Sequence, residues 1–404
     1  MKMSVTEIFC DLARIPSPTL DESRVARRII ELMSVDGVTV QQDEYGNVYG
    51  FLRATDSSKA PLMMTGHMDV VGDASPVVIN TTPDGFYETD KTRTLGADDK
   101  AGVAAVIALV RKLSATQNVK HGGIEFLFTR DEEQNLTGAK HVDYTRFKSD
   151  YVVVLDGDLL GDFLVSGAGF TKLFIEAYAA KGGHSAIDID DETRVNAARA
   201  LAQLVAQMPQ GVYEKNDQGI VTSINLGAIA AGGLQNRQTD ATGAAFDKFL
   251  AYDAVTNVIN THAYAAFSIR SSQKESQRRL HADILKIVAD FNARYAGKAV
   301  FSADFQQHML PFEDARDPKM PDLFAKAATQ CGVKAHIASF HAGAETHIYS
   351  HKQNAFGRTF KPYLMGAANI YNMHSPNERV EIASMEKGFE LLETLFEKFN
   401  QSAD

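Results

Sequence analysis

At 404 residues, with 45% hydrophobic and 23% charged residues, the chain has the make-up of a folded protein and the length of two domains rather than one. Lys and Arg total 41 against 51 Asp and Glu, a net charge of −10, which argues against nucleic acid or an anionic membrane as the main partner and suits a protein that gathers divalent cations. Two cysteines, Cys10 and Cys331, can build neither a disulfide framework nor a Cys-rich metal site; with no signal-like segment and no run near the ~20 apolar residues of a membrane span, a soluble cytoplasmic protein is expected.

Apolar residues at helical spacing predict helices over 5–12 and 22–33, parted by the turn residues Pro16-Ser17-Pro18. Alternation predicts strands over 38–42 and 48–52 around Tyr45-Gly46-Asn47, and a short apolar run predicts a buried strand over 61–65. Val103, Val106, Ile107, Val110 and Leu113 form a helical stripe over 101–113, followed by buried strands over 124–129 and 151–155. This alternation predicts an α/β sheet with helices on its faces. The middle changes character: a strand over 171–177, a helix over 192–208, strands over 220–226 and 263–269, a helix over 274–295 and a strand over 298–305. That β-α-β-β-α-β order is one of a self-contained α+β module. Helices over 322–330 and 384–399 return to the first style. The expected organisation is a catalytic domain of mixed sheet and flanking helices built from 1–169 and 309–404, with the α+β domain inserted at 170–308.

Charged residues collect where these strands end. Gly66-His67-Met68-Asp69 follows the strand at 61–65, Gly96-Ala97-Asp98-Asp99-Lys100 precedes the helix from 101, Glu132-Glu133 follows the strand at 124–129, and Asp156 ends the strand at 151–155. Open α/β sheets bind ligands at the carboxyl ends of their strands. Acidic and imidazole groups gathered there need a compensating charge, and a pair of divalent metals supplies one. Imidazole and carboxylate suit zinc or a neighbouring divalent metal. A carboxylate shared by two ions holds them roughly 3.5–4 Å apart, a spacing that activates a water between them. An Asp two residues from a ligand His can fix its tautomer, and a glutamate beside the metals can carry a proton. Taken singly, each piece has a plainer reading as a turn, a helix cap or a solvated loop. Their order and shared placement favour a site.

Together with Thr94-Leu95-Gly96-Ala97-Asp98-Asp99-Lys100-Ala101-Gly102, Thr129-Arg130-Asp131-Glu132-Glu133, Asp156-Gly157 and Met373-His374-Ser375-Pro376-Asn377-Glu378-Arg379-Val380, these motifs resemble the peptidase T-like di-zinc metallopeptidases. Those enzymes belong to the aminoacylase, carboxypeptidase and tripeptidase superfamily, and the match runs in order across nearly the whole chain. The resemblance implies His67 and Asp156 as ligands of one zinc, Glu133 and His374 as ligands of the other, and Asp98 as the bridge; manganese and cobalt are the alternative metals. It further implies that Asp69 orients His67 and that Glu132 is the general base and acid. The inserted domain would be a lid, which mediates dimerisation in many relatives.

Within that domain, Lys181-Gly182-Gly183-His184-Ser185 is similar to a lid motif of the aminoacyl-histidine dipeptidases, which implies that His184 polarises the scissile carbonyl. Asn236 and Arg270 fall where relatives bind substrate, Arg270 as a forked clamp for a peptide's terminal carboxylate. Two stretches depart from the pattern. Arg130 stands where relatives commonly carry Pro or a small residue. Phe340-His341-Ala342-Gly343-Ala344-Glu345-Thr346 replaces the Gly-Gly-x-Asp loop of tripeptidases and looks more like aminoacyl-histidine dipeptidases. Glu345 is thereby a candidate contact for the substrate's amino group, with a supporting role behind the ligands as the alternative. The expected function is hydrolysis of tripeptides or dipeptides from one end. An N-acyl amino acid deacylase on the same site is the near alternative. A non-catalytic metal- or peptide-binding scaffold is the distant one, disfavoured because no ligand or base position is lost.

Overall fold

A computed structural model describes residues 3–116, 119–231 and 256–402, which cluster into two compact units. The first comprises Met1–Gly167, Phe312–Ser339 and Gly343–Asp404; the second comprises Ala168–Pro311 and Phe340–Ala342. That last triplet lies outside the 170–308 range read from the sequence. It joins the second unit because Phe340 O accepts the Ala168 N–H at 3.1 Å and the His341 ring lies 2.6 Å from the Ser223 hydroxyl.

The first unit is built on an eight-stranded mixed sheet, as expected for an α/β chain. Its spatial order is Val38–Gln42, Val48–Leu52, Ile124–Thr129, Leu62–His67, Tyr151–Gly157, Lys361–Gly366, Asp162–Gly167, His336–Phe340. The four strands from Ile124–Thr129 to Lys361–Gly366 run parallel, so their carboxyl ends share one edge of the sheet. Ile124–Thr129 and Leu62–His67 are buried along their whole length, which is why they read as continuous apolar runs rather than as alternation. The strand Lys361–Gly366 escaped the sequence reading because its apolar run, Pro362 to Met365, is only four residues long between a lysine and a glycine. The helix Ala97–Ser114 is buried on nearly every face and packs with Val5–Ala13, the final helix Ile382–Gln401 and the sheet.

The second unit is a five-stranded antiparallel sheet in the order Gly211–Asn216, Gly219–Ala231, His262–Ser271, Gly169–Ala179, Ala299–Met309. His262–Ser271 alternates strictly between buried and half-buried positions. Its buried face meets the helices Ala197–Val205 and Lys274–Arg294 in a separate hydrophobic core. The helix expected over 192–208 begins only at Ala197. Asn196 caps it by accepting the Ala198 and Arg199 N–H groups at 3.1 and 3.3 Å, while Asp191 holds Thr193 and Arg194 in the preceding turn. The strand Gly211–Asn216, a hairpin partner of the next one, is additional to the expected order. No helix among the described residues is long and apolar enough to cross a membrane.

Gly388 shows how closely the final helix seats. A Cβ there would lie 1.7 Å from the Ala367 carbonyl oxygen. Ala is better than Gly in a helix by about 1 kcal/mol, yet Gly388→Ala is expected to lower stability by about 1–3 kcal/mol through overpacking. Denaturant unfolding checks this; an unchanged or higher midpoint would contradict so close an approach.

Candidate metal centre

Three of the four parallel strands, Leu62–His67, Ile124–Thr129 and Tyr151–Gly157, deliver polar side chains to one place at their carboxyl ends. His67 is the last residue of its strand and is 1% exposed. Its Nδ1 faces the Asp69 backbone oxygen at 3.0 Å and Asp69 Oδ1 at 3.5 Å, so Nδ1 carries a proton and Nε2 is the nitrogen left to offer a lone pair to a metal once it is deprotonated. That Nε2 is aimed at two carboxylates, Asp98 Oδ1 at 3.1 Å and Asp156 Oδ1 at 3.4 Å. On the other side of Asp98, Oδ2 lies 2.9 Å from His374 Nε2, which in turn lies 3.0 Å from Glu133 Oε2. The structure thus brings His67, Asp98, Glu133, Asp156 and His374 together, with the Asp98 carboxylate between a His67–Asp156 half and a His374–Glu133 half.

Lone pairs pointed at oxygens need a positive charge between them. The fully buried His67 ring shows this: burial works against its charged form, but Asp156, Asp69 and Asp98 outweigh burial and hold its pKa well above the ordinary value. His374, half-exposed, is pushed up to about 9, chiefly by its hydrogen bond to Asp98. Burial raises Asp156 to about 6 and Glu133 to about 7, and raises Glu132 well above the usual carboxylate range. Asp98 moves down instead, because its hydrogen bonds to both imidazoles overcome burial.

The donor set fits a divalent metal pair. Imidazole nitrogens and carboxylate oxygens are the ligands zinc takes. A tetrahedron with zinc–donor bonds of roughly 2.0–2.1 Å has edges of about 3.3–3.4 Å, and the contacts above span 2.9–3.4 Å. His67, Asp98 and Glu133 place ligand atoms within 4.8 Å of one another. Glu133 Oε1 is buried without a hydrogen-bond partner among the described residues, a lone pair still to be satisfied.

Side chains behind this group fix it. Asp69, fully buried, accepts the Glu132 and Glu133 N–H groups at 2.9 and 3.3 Å and the Thr19 hydroxyl at 2.9 Å while its backbone oxygen meets His67. Asp99 accepts the His67 and Gly102 N–H groups at 3.2 and 3.1 Å. Residue 66 must be glycine beside it, since a Cβ there would lie 2.3 Å from Asp99 Oδ2. Asp98 and Asp99 depart from helical geometry at the start of their helix and are joined by a cis peptide. Glu378, 1% exposed, accepts the N–H groups of Gly96, Ala97 and Asp98 at 2.8, 2.9 and 3.2 Å as well as the Thr94 hydroxyl. It joins the His374 loop to the Asp98 loop. In the sequence, Glu378 is marked only by its place four residues after His374, inside an otherwise polar loop.

The remaining expected residues fall as follows. Glu132 sits beside the group, its N–H on Asp69. Glu345 is 1% exposed and accepts the Tyr349 hydroxyl at 2.7 Å; burial lifts its carboxyl to about 7, with His67 and Asp156 near enough to influence it. His184 and Arg270 belong to the second unit. His184 is exposed, its N–H on Asp188, and Arg270 stacks on Phe170 with its guanidinium carbon 4.8 Å from the ring centroid. Asn236 lies outside the described residues.

Residues 63–398 match the model of Peptidase family M20/M25/M40. The uncharacterized protein YqjE of Bacillus subtilis is 25% identical over 407 residues, covering 97% of both chains. Peptidase T of Desulfitobacterium hafniense is 24% identical over 442 residues, covering 98% of both. The crystal structure of aminopeptidase PepT from Bacillus cereus has the same fold, with a TM-score of 0.81 at 22% identity over 98% of each chain. The match to the family model extends over well more than half of the sequence, and the chain belongs to peptidase family M20/M25/M40.

Proposed function

We propose that the chain is a metal-dependent exopeptidase that hydrolyses tripeptides or dipeptides. The observation that carries this is the Asp98 carboxylate set between His67 with Asp156 and His374 with Glu133, with Glu132 alongside. Membership of a peptidase family and likeness to proteins called peptidase T support it. Zinc as the metal, a cytoplasmic setting and dimerisation through the second unit belong to the same reading.

His67 and Asp156 would hold one ion, Glu133 and His374 the other, and Asp98 both. Bound there, two divalent ions supply Lewis acidity for the peptide carbonyl and make a water a good nucleophile at neutral pH. Glu132 takes the proton from the attacking water and returns it to the leaving amine nitrogen; its burial beside Glu133 and Asp156 raises its proton affinity, as a proton carrier requires. Asp69 holds His67 in the tautomer that presents Nε2. For His184 and Arg270 the support is the family resemblance of their motifs alone, which implies a donor to the developing oxyanion and a clamp for the substrate's terminal carboxylate. Asn236 would add a polar substrate contact. Glu345 would neutralise the substrate's amino group.

A panel of Ala-Ala-Ala, dipeptides and N-acetyl-alanine tests the reading. Cleavage of the free peptides alone is expected; cleavage of N-acetyl-alanine alone would assign a deacylase instead. In the same assay Glu132→Gln is expected to lower kcat by about 10²–10⁴-fold with metal content unchanged, and full activity in that variant would refute its role.

Metal binding must displace protons from these ligands. Asp156, Glu133 and His374 carry pKa values of about 6, 7 and 9 in the metal-free protein. A proton competes with metal below each value, so apparent affinity is expected to climb as pH rises from about 6 to about 9. Calorimetric titration of zinc into chelator-treated protein, in buffers of different ionisation heat, should register proton release at pH 7. A pH-independent affinity without proton release would contradict the ligand set.

A further inference from the structure

The turn that carries Glu132 and Glu133 is held from outside itself. Its four successive backbone N–H groups all donate to side chains of distant segments. Arg130 N–H goes to Asn47 Oδ1 at 3.2 Å, Asp131 N–H to Glu22 Oε1 at 3.2 Å, and the Glu132 and Glu133 N–H groups to the two oxygens of Asp69 at 2.9 and 3.3 Å. Asp131 sits in the left-handed region, at φ 53° and ψ 41°, a conformation that costs a non-glycine residue energy even though Asp tolerates it better than most.

Glu22 does more than accept one hydrogen bond. It is 3% exposed, and its Oε1 also accepts the Leu20 N–H at 2.8 Å. Its Oε2 pairs with the Arg130 guanidinium at 3.1 Å. Arg130 in turn donates to the Tyr45 carbonyl at 3.0 Å, and its stem lies so close to Gly46 that a Cβ there would be 3.2 Å from Arg130 Cδ. One buried carboxylate therefore grips the two residues immediately before the Glu132–Glu133 pair, Arg130 by its side chain and Asp131 by its backbone. Without Arg130, Glu22 would be a buried charge with no cation against it, a costly state that favours protonation or displacement.

We propose that Glu22 and Arg130 form a positioning pair that sets where the Glu132 and Glu133 carboxylates stand relative to the metal ligands of the other strands. The inference rests on the peptidase reading for its catalytic part. Neither residue is among the expected metal ligands, and neither is the expected proton carrier. Both act through the Asp131 turn, where a displacement near 1 Å is enough to cost about 10²-fold in rate. The pair with Glu22 gives this turn a fixity that comes from a side chain rather than from the backbone of residue 130.

The test uses the full chain loaded with zinc, in the variants Glu22→Ala, Glu22→Gln, Arg130→Met and Arg130→Lys. Three quantities are read: kcat and KM on a tripeptide that the wild type cleaves, the zinc Kd by competition with a chromophoric chelator, and the folded fraction by circular dichroism. Glu22→Ala is expected to lower kcat by about 10–100-fold per folded molecule, with KM nearly unchanged and zinc held about 10-fold more weakly through the displaced Glu133. Glu22→Gln keeps an oxygen for the Leu20 and Asp131 N–H groups and is expected to recover most of both losses. Arg130→Lys, which keeps a positive charge against Glu22 Oε2, should be milder than Arg130→Met.

Wild-type kcat and zinc Kd in folded Glu22→Ala and Arg130→Met would overturn the proposal and leave the pair a support of stability only. If Glu22→Ala does not fold, Arg130→Met against Arg130→Lys decides by the same two quantities. A wild-type protein that binds zinc and cleaves no peptide would sink the peptidase reading. The zinc Kd of the variants would still decide whether the pair positions Glu133.

Discussion

One carboxylate, Asp98, lies between two imidazoles contributed by distant parts of the chain, and the surrounding architecture serves to keep it there. Its two oxygens face His67 and His374 at 3.1 and 2.9 Å. Each imidazole brings a further carboxylate, Asp156 on one side and Glu133 on the other. Folding alone would not gather so many acidic groups in a buried place, since each is dehydrated and each repels the next. The parallel sheet makes the gathering possible by ending four neighbouring strands on one edge. The proposed metal ions would make it favourable.

The supporting contacts share a logic. Glu378, Asp69 and Glu22 are buried carboxylates that accept backbone N–H groups of the loops bearing Asp98, Glu132 with Glu133, and Asp131 respectively. Loops leaving parallel strands have few hydrogen bonds of their own, and buried N–H groups must find acceptors. Using remote side chains as those acceptors ties the loops that bear Asp98, Glu132 and Glu133 to other segments of the chain. Left-handed residues occur at Asp131, Asn372 and His374, all in these loops. Backbone held in such regions at a site is consistent with fixed geometry mattering more there than local comfort.

Much of the framework was legible in the sequence because burial imposes a pattern. Ile124–Thr129 and Leu62–His67 announce themselves as apolar runs, and the charged residues after them stand out for being where a buried strand ends. His374 could be joined to the others only through family resemblance, since nothing local links it to residues in the first half of the chain. Glu22 and Glu378 were missed for a different reason. A carboxylate whose partners are backbone N–H groups has no complementary residue type to give it away, so only the folded path of the chain shows its work. Arg130, conspicuous as a departure from the family, found its explanation in Glu22. The helix expected from 192 starts later because Asn196 caps it, a detail that apolar periodicity cannot mark.

The central claim, a shared metal pair on Asp98, is tested most directly by anomalous scattering from crystals grown with zinc and measured at its absorption edge. The account predicts two peaks, one between His67 and Asp156 and one between Glu133 and His374, both within bonding distance of Asp98. A single peak elsewhere, or none at these residues in a crystal that holds zinc, would contradict it.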